Sequence, residues 1–376
     1  MRTDVLVVGA GLAGLQCARL LAGRGVRVVL ADRKESLTTS IHTTGIFVRK
    51  TWEDFPFADD ELGQPIREVT LHSPAGRTLE LLSPRDEFRV GRMGSIYMKM
   101  LEQCARAGVR FLPATRIVAF EGTTAITERK GQRETIHARY VVGADGARSF
   151  VARSFGLDTN RELLTGIEDV VPAIAAEPSM HCWLDPRLAP GYIAWVVNDG
   201  DEAHVGVAGY RHRFVPADAL QRFRAKVPFT LDETVERRGG LIPVGGILRN
   251  IANHQAMLIG DAAGAVSPLT AGGLDPALRL STLAAAVIAE YLESGDAAVV
   301  AQYTGNRFRT RFMARRWMRR ALAAIDHPTL MELAFALLVT PPLRKLAEHV
   351  FFARGSFPDV SPPPATLRRD VPYLSG

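Results

Sequence analysis

Apolar residues at the start of the chain predict a strand, a helix and a second strand. Residues 5–8 form a continuous apolar run, which is typical of a parallel strand buried on both faces. Residues 15–22 have helical spacing, and that pattern stops at Gly23 and Gly25. Because residues 26–31 form a second apolar run, we predict a βαβ unit at the N-terminus.

Further along, the spacing of apolar positions indicates two kinds of sheet. We predict a helix at about 95–107 and short strands at 69–72, 78–82, 109–112, 116–121, 125–128 and 134–142, the last four as an antiparallel insertion. Alternating strands and turns from about 153 to 252, including a strand at 191–197, predict a separate antiparallel sheet. A buried strand at 256–259 and a long helix at 274–291 then resume the first domain.

The turn between the first strand and the first helix carries a phosphate-binding pattern. Gly9, Gly11 and Gly14 form G-x-G-x-x-G, with Leu12 and Ala13 at the predicted start of the helix. These glycines allow a tight turn and the close approach of a pyrophosphate, which the free N–H groups at the helix start bind. We therefore predict a dinucleotide at this turn.

An acidic residue follows the turn at the spacing that a ribose requires. Asp32 lies 23 positions after Gly9, at the end of the second predicted strand. A carboxylate there accepts hydrogen bonds from ribose hydroxyls and disfavours a 2′-phosphate. Arg33 extends the same predicted site. The pattern by itself does not separate NAD from FAD.

Two later segments distinguish these cofactors. Asp145 and Gly146 stand in VGADGARS, and Gly260 and Asp261 stand in LIGDAAG. Both segments resemble the second and third motifs of the p-hydroxybenzoate hydroxylase-type flavoproteins. The resemblance implies noncovalent FAD, with the Asp145–Gly146 pair beside the pyrophosphate and Asp261 on the ribityl chain.

Within that superfamily the chain is most similar to the geranylgeranyl reductase family. The matching stretches are residues 239–246 (GGLIPVGG), 260–264 (GDAAG) and 268–274 (PLTAGGL). The resemblance covers most of residues 1–290 and places a cofactor-binding arginine at Arg92. Gly272, Gly273 and Leu274 open a predicted helix, where backbone N–H groups approach the flavin ring.

The motifs and the apolar pattern together predict the fold class. We expect an α/β fold, α+β overall, with a Rossmann-like FAD-binding domain interleaved with an antiparallel-sheet substrate domain and a helical C-terminal region. The predicted boundaries are 1–68, 86–152 and 253–300 for the FAD-binding domain, 69–85 and 153–252 for the substrate domain, and 301–376 for the C-terminal region.

Departures from the family pattern concern catalysis. Many geranylgeranyl reductases carry a cysteine in the loop after the second strand, whereas residues 39–45 here read TSIHTTG. We predict His42 as the catalytic proton donor, because imidazole titrates near neutral pH; a held water or a merely structural histidine are the alternatives. Tyr192 and Trp195 resemble the family's aromatic signature and are predicted to line an apolar substrate cleft, with simple sheet packing as the alternative.

Residues 313–325 have the spacing of a basic amphipathic helix. One side is mainly apolar and consists of Met313, Trp317, Ala321, Leu322 and Ile325. The other side is basic and consists of Arg315, Arg316, Arg319 and Arg320. An exposed arginine side predicts peripheral contact with the inner face of an anionic membrane. The alternative is an arginine-faced helix that caps the substrate domain.

Composition narrows the class of protein. Hydrophobic residues make up 47% and charged residues 23%, as in a globular enzyme. The net charge of +6 favours anionic partners, and we expect no nucleic acid among them. Cys17, Cys104 and Cys182 are widely spaced, so neither a disulfide framework nor a metal site is predicted. With no signal-peptide pattern and no spanning apolar run, we expect a cytoplasmic protein.

The predicted function is FAD-dependent reduction of carbon–carbon double bonds in an isoprenoid or other apolar substrate, with NADPH or NADH as candidate electron donor. The alternatives are an FAD-dependent monooxygenase that uses NAD(P)H and oxygen, a flavin-dependent cyclase, and a flavin-binding protein without turnover. A flavin halogenase is disfavoured, because the Trp-x-Trp-x-x-Pro pattern is absent.

Overall fold

The computed structural model describes residues 1–353, except for the side chain of Arg311, and Phe357. This part of the chain contains three sheets and a set of helices. The strands are β1 (Arg2–Val8), β2 (Val28–Ala31), β3 (Ile46–Val48), β4 (Glu68–His72), β5 (Thr78–Leu82), β6 (Phe88–Val90), β7 (Arg110–Leu112), β8 (Arg116–Glu121), β9 (Thr124–Arg129), β10 (Gln132–Gly143), β11 (Leu163–Pro172), β12 (Ser179–Trp183), β13 (Ala194–Asn198), β14 (Glu202–Gly209), β15 (Glu236–Pro243) and β16 (Ala256–Leu258). The helices are α1 (Leu12–Ala22), α2 (Arg49–Asp54), α3 (Met93–Arg106), α4 (Phe150–Ser154), α5 (Pro216–Arg224), α6 (Leu274–Ser294), α7 (Ala297–Ala301), α8 (Asn306–Ala324), α9 (Pro328–Leu338) and α10 (Pro341–Phe352).

The first sheet has the order β7-β2-β1-β10-β9-β8, with β16 beside β10. Strands β7, β2, β1, β10 and β16 are parallel, as the predicted βαβ unit requires, and α1 packs against both α3 and α6. The prediction of an antiparallel insertion at 109–142 is right for β8, β9 and β10 but wrong for β7. Strand β7 follows α3, so a helical crossover returns it parallel to β2.

The second sheet has the order β15-β11-β14-β13-β12-β4-β5, and each neighbouring pair except β12 with β4 is antiparallel. The strand predicted at 191–197 begins later, at Ala194. Gly191 has φ of +72°, and the amide of Tyr192 donates to the Ala189 carbonyl, so a turn occupies the first positions. The two large sheets therefore draw on alternating parts of the chain, while the domain boundaries themselves stay a prediction.

The last three helices, α8, α9 and α10, lie against the second sheet and the loops near α6. None of the described helices is long and apolar enough to cross a membrane. In α8 part of the arginine side faces inward, which agrees with the alternative of an arginine-faced helix and not with a fully exposed arginine side. Arg319 is 1% exposed, whereas Met313 and Trp317 are 57% and 67% exposed. Arg316 donates to Glu162 at 2.7 Å, so an ion pair holds part of the arginine side inward. Helical spacing determines which residues share a side but not which side is buried.

Candidate functional site

The turn after β1 is packed so closely that it needs glycine. Gly9 has φ of +103°, and a Cβ built on it would overlap the Ala144 carbonyl at the end of β10. A Cβ on Gly14 would overlap the carbonyl oxygen of Gly9. The first and third glycines of the motif therefore hold the turn, α1 and the end of β10 together.

The second glycine has a different environment. A Cβ built on Gly11 would have no atom within 4 Å, so it points into open space. Gly11 is also the N-cap of α1 and has no side chain to satisfy the first helical amides, including those of Leu12 and Ala13. Open space in front of uncapped amides is the arrangement that binds a pyrophosphate.

Asp32 stands beside this turn at the end of β2. Its carboxylate accepts hydrogen bonds from the amides of Ala10 at 2.6 Å and Lys34 at 2.7 Å. These bonds fix the carboxylate, whose remaining lone pairs can accept from ribose hydroxyls. Arg33 follows with an exposed side chain.

Asp145 follows β10 and has one satisfied and one unsatisfied oxygen. Its Oδ2 accepts from the amides of Phe150 at 2.6 Å and Val151 at 3.1 Å, which caps α4. Its Oδ1 is buried without a hydrogen-bond partner among the described residues, and burial raises the pKa of the carboxyl. The adjacent Gly146 has φ of +82°. An unpaired buried acceptor at this position can accept a hydrogen bond from a hydroxyl group of a bound cofactor.

The third motif lies next to the first. A Cβ on Gly260 would be 2.9 Å from the Cβ of Ala13, at the start of α1. The Oδ1 atom of Asp261 is in turn 3.5 Å from a Cβ built on Gly273, at the start of α6. The three separated segments therefore converge around the N-termini of α1 and α6.

Gly272 and Gly273 precede α6, which begins at Leu274 as predicted. The carbonyl of Gly272 accepts from the amide of Ser267 at 3.0 Å, and Gly273 caps the helix without a side-chain hydrogen bond. The first amides of α6 thus stay available beside Asp261. Together, the unpaired Asp145 oxygen, the space at Gly11 and the two uncapped helix starts fit FAD.

The charge state of Asp261 makes the affinity for FAD depend on pH. Burial raises the pKa of Asp261 to about 6. Hydroxyl groups of a ribityl chain donate to the ionised carboxylate and would lower this pKa in the complex. We therefore expect FAD to bind more tightly as the pH rises toward about 6, and the affinity to level off above that value.

Asp261→Asn keeps the shape of the side chain and removes the titrating group. We expect this variant to bind FAD more weakly by about 1–3 kcal/mol at neutral pH and to lose the pH dependence. Titration of the apoprotein with FAD, followed by the quenching of flavin fluorescence, measures both effects. An equally steep pH profile in the variant would assign the dependence to another group.

Arg92 caps the N-terminus of α3, but its guanidinium points toward the second sheet. It contacts Asp199 at 2.6 Å, Asp201 at 2.8 Å and Glu202 at 3.3 Å, all near the turn between β13 and β14. These ion pairs join α3 to the second sheet. Binding of the cofactor by Arg92 stays a prediction.

His42 lies on the loop 39–45, which is tied to β15. Its Nδ1 atom is 2.7 Å from the Gly239 carbonyl; because a carbonyl only accepts, Nδ1 carries the proton and Nε2 is left unprotonated in the neutral ring. Burial lowers the pKa of His42 below its usual value. The guanidinium of Arg238 donates to the Thr43 carbonyl at 3.3 Å and fixes the same loop.

A buried carboxylate, which the sequence did not single out, connects this loop with the second sheet. Glu168, on β11, is 3% exposed and accepts hydrogen bonds from the Thr44 hydroxyl and the Trp195 indole. His204 and Arg238 lie 3.7 Å and 3.8 Å away. Burial alone would raise the pKa of Glu168, but His204, Thr44 and Arg238 outweigh it and lower the pKa. The available signal was a pair of adjacent acidic residues, Glu168 and Asp169, within a mainly apolar strand.

Tyr192 and Trp195 lie where the second sheet meets the loop before α6. An apolar cluster, called here the Tyr192 cluster, consists of Leu164, Tyr192, Ala208 and Val244, with Trp195, Ile242 and Ala271 packed against it. Ala271 belongs to the loop that ends in Gly272 and Gly273. The two aromatic residues are thus beside the candidate flavin site, and their contact with a substrate stays a prediction.

Comparisons with known families match three segments of the chain. A family described as "FAD dependent oxidoreductase" matches residues 4–69, and one described as "FAD binding domain" matches residues 95–241. A third, described as "Lycopene cyclase protein", matches residues 216–336. The first two matches contain the glycine turn, Asp32 and the Asp145 motif.

Individual relatives cover most of the chain. Digeranylgeranylglycerophospholipid reductase 2 of Methanosphaera stadtmanae is 28% identical over 79% of this chain and 80% of its own length. The digeranylgeranylglycerophospholipid reductase of Methanothrix thermoacetophila is 29% identical over 80% of this chain and 81% of its own. A geranylgeranyl bacteriochlorophyll reductase-like structure from Thermoplasma acidophilum superposes with a TM-score of 0.81 at 19% identity, covering 94% and 97% of the two chains, and at that identity shows the fold alone.

The fold and the convergent motifs define an FAD-dependent oxidoreductase with a Rossmann-like cofactor domain and a second, mainly antiparallel sheet. Within that class, the chain is similar over about four fifths of its length to reductases of digeranylgeranylglycerophospholipids.

Proposed function

We propose that the protein reduces carbon–carbon double bonds of an isoprenoid substrate at the boundary between the FAD site and the second sheet. The observation that carries this proposal is the Tyr192 cluster, which packs against Ala271 directly before the uncapped start of α6. The relatives named above are reductases of geranylgeranyl lipids, which supports an apolar substrate of this kind.

The chain's own residues supply apolar walls and a route for a proton. FAD, when bound and reduced, supplies the hydride. An isoprenoid offers few hydrogen-bonding groups, so its binding depends on apolar burial at roughly 25 cal/mol per Å². The half-buried residues packed against the Tyr192 cluster, Trp195, Ile242 and Ala271, offer such a surface, and the buried Tyr192 supports it from behind.

The proton is assigned to His42. Its Nδ1–H is held by the Gly239 carbonyl, so Nε2 is the atom that takes a proton from solvent and passes it to the substrate carbon, directly or through a water. The protonated form of His42 becomes scarcer as pH rises, so the rate of the protonation step should fall in that direction. Because burial lowers the pKa of His42, this fall should begin at a lower pH than for an ordinary histidine.

The proposal is tested by mixing anaerobically reduced enzyme with geranylgeraniol and following flavin oxidation and product together. We expect oxidation without oxygen and a product with one double bond saturated per flavin. His42→Gln should slow the step about 10²–10⁴-fold at unchanged FAD content. Oxidation that requires oxygen and yields a hydroxylated product would instead identify a monooxygenase. An unchanged rate in the variant would assign the proton to a water.

A second candidate is a redox-neutral cyclase. It is favoured by one observation, the match of residues 216–336 to the lycopene cyclase family. That segment contains Asp261 and the start of α6, which both candidates need for the cofactor. The two reactions differ in electron balance, because a cyclase returns the flavin in the redox state in which it started.

We further propose that contact with a lipid surface, from which such a substrate would be taken, uses the apolar sides of the last helices. Exposed apolar residues there are Met313, Trp317, Leu330, Leu333, Leu337, Leu343 and Leu346. The arginines of α8, which were expected to bind the membrane, include the buried Arg319 and the ion-paired Arg316.

Liposome flotation separates the apolar from the arginine mode of contact. We expect binding to neutral liposomes that persists at high salt, and its loss in the double variant Trp317→Glu/Leu333→Glu. Val235→Glu replaces an equally exposed apolar residue on the second domain, 75% exposed, and should leave flotation unchanged. Flotation that needs anionic lipid and disappears as salt screens charges would contradict the apolar mode.

A further inference from the structure

Arg319, in the middle of α8, is buried with an unsatisfied guanidinium. It is 1% exposed, and its Nε, Nη1 and Nη2 atoms have no hydrogen-bond partner among the described residues. The carbon at the centre of the guanidinium lies 5.1 Å from the ring centroid of Tyr192 and 5.3 Å from that of Tyr210. The charge is therefore enclosed by aromatic rings and lacks an oxygen acceptor.

The two rings do not compensate for the burial of this cation. Removing an ion from water costs more free energy than a cation–π contact returns. The rings also leave the N–H donors of the guanidinium without acceptors. A planar guanidinium with free donors matches the two oxygens of a phosphate or a carboxylate, which it binds in a bidentate manner.

Among the residues that the structure describes, no carboxylate takes that place. Glu162, the acidic residue next to the arginine side of α8, contacts Arg316 at 2.7 Å and Arg320 at 3.8 Å. One turn before Arg319, Arg315 donates to the Ser267 hydroxyl at 3.1 Å, on the loop that leads to α6. Two arginines of one helix side are thus directed into the region between the second sheet and the flavin site.

Arg319 is also placed at one end of an apolar surface. Tyr192, against which its guanidinium lies, belongs to the Tyr192 cluster, and that cluster continues to Ala271 beside the start of α6. A cation that lacks a counter-ion, followed by an apolar surface that leads to the flavin, fits a molecule with an anionic head and an apolar chain.

We propose that Arg319 binds the phosphate head group of the substrate and so fixes which end of the isoprenoid chain lies nearest to α8. The proposal rests on the proposed function for the nature of the chain, but it concerns binding and not the redox step. A phosphate ester should therefore bind more tightly than the corresponding alcohol, with the difference supplied by Arg319.

The test compares geranylgeranyl phosphate with geranylgeraniol, using FAD-loaded oxidised enzyme and isothermal titration calorimetry. We expect the wild-type protein to prefer the phosphate about 10- to 100-fold, as for a hydrogen-bonded charge pair. Arg319→Gln should reduce this ratio to about one without changing the affinity for the alcohol. Arg320→Gln, at the next position and half exposed, is the matched control and should keep the full ratio.

Three results would overturn the assignment. One is equal affinity of the wild-type protein for the two compounds, and another is an unchanged ratio in Arg319→Gln. The third is equal affinity for inorganic phosphate and geranylgeranyl phosphate, which would assign the site to a free anion. If Arg319→Gln loses FAD or fails to fold, Arg319→Lys replaces it; lysine keeps the charge but not the fork, so the ratio should fall and an unchanged ratio counts against the proposal.

The binding test is independent of the proposed reaction, because the oxidised enzyme does not turn over. A preference for phosphate that depends on Arg319, combined with no alkene reduction, would retain the head-group site and reject the reductase. Alkene reduction with no such preference would retain the reductase and reject the head-group site.

Discussion

Gly14→Ala is expected to destabilise the protein strongly, whereas Gly11→Ala is expected to leave it folded but to weaken its binding of FAD. A Cβ at position 14 would overlap the Gly9 carbonyl and lie 3.2 Å from the Ala144 Cβ, so strand, turn and helix would have to separate. Overpacking of this kind costs about 1–3 kcal/mol and more where the backbone is rigid. At position 11 the same methyl group meets no atom of the described residues within 4 Å.

The space that the Gly11 methyl group would occupy is the space assigned to the pyrophosphate. We expect FAD to bind about 5- to 150-fold more weakly to Gly11→Ala, equivalent to about 1–3 kcal/mol of steric cost. Thermal unfolding of the two apoproteins and their titration with FAD measure the contrast. If Gly11→Ala bound FAD as the wild type does, the pyrophosphate would have to lie elsewhere.

Glu168→Ala is the second change for which we expect a large effect. It removes a buried carboxylate and leaves the Thr44 hydroxyl, the Trp195 indole and the cation of Arg238 without this partner. Breaking a buried ion pair by removing one member costs about 3–5 kcal/mol. Because Thr44 belongs to the loop 39–45, we expect that loop to lose its attachment to the second sheet and His42 to lose its fixed position.

The loss of stability caused by Glu168→Ala should depend on pH in a defined direction. The pKa of Glu168 is lowered in the folded state, from a usual value of 4.5, so the ionised carboxylate stabilises the fold above about that pH. This stabilisation is lost as the pH falls through the folded-state pKa, and the difference between Glu168→Ala and the wild type should shrink there. Denaturant unfolding across this range measures it.

Glu348→Ala is the matched control for Glu168→Ala. Glu348 forms an exposed pair with Arg344 within α10, at 3.2 Å, and such pairs contribute about 0.3–0.5 kcal/mol. A comparable loss of stability in both variants would show that the Glu168 contacts are not the source of the effect.

The cofactor site was predictable because its requirements are local. Gly9 and Gly14 are needed where the backbone of one segment touches that of another, and α6 begins at Leu274 directly after two glycines, as the motif implies. The parallel pairing of β1 with β2 follows from the same βαβ unit. Such constraints recur in sequence at fixed spacing, so they are visible without long-range information.

The remaining features depend on contacts between distant segments. The spacing in α8 gave two sides, but only packing against Tyr192 and Tyr210 shows that Arg319 lies inward. Glu168 and His204 stand in different strands, and nothing in their sequence separation of 36 positions indicates that they pair. Arg92 was assigned to the cofactor by resemblance, while its ion pairs with the β13–β14 turn depend on how the second sheet folds.

The central claim, reduction of an alkene by this flavoprotein, is tested most directly by the mass of the product of one anaerobic turnover in deuterated water. Reduced enzyme mixed with geranylgeraniol should give a product that carries two deuterium atoms, with one flavin oxidised for each double bond saturated, because the hydride position of a reduced flavin exchanges with solvent. A product of unchanged saturation with at most one deuterium atom, formed while the flavin stays reduced, would contradict the account.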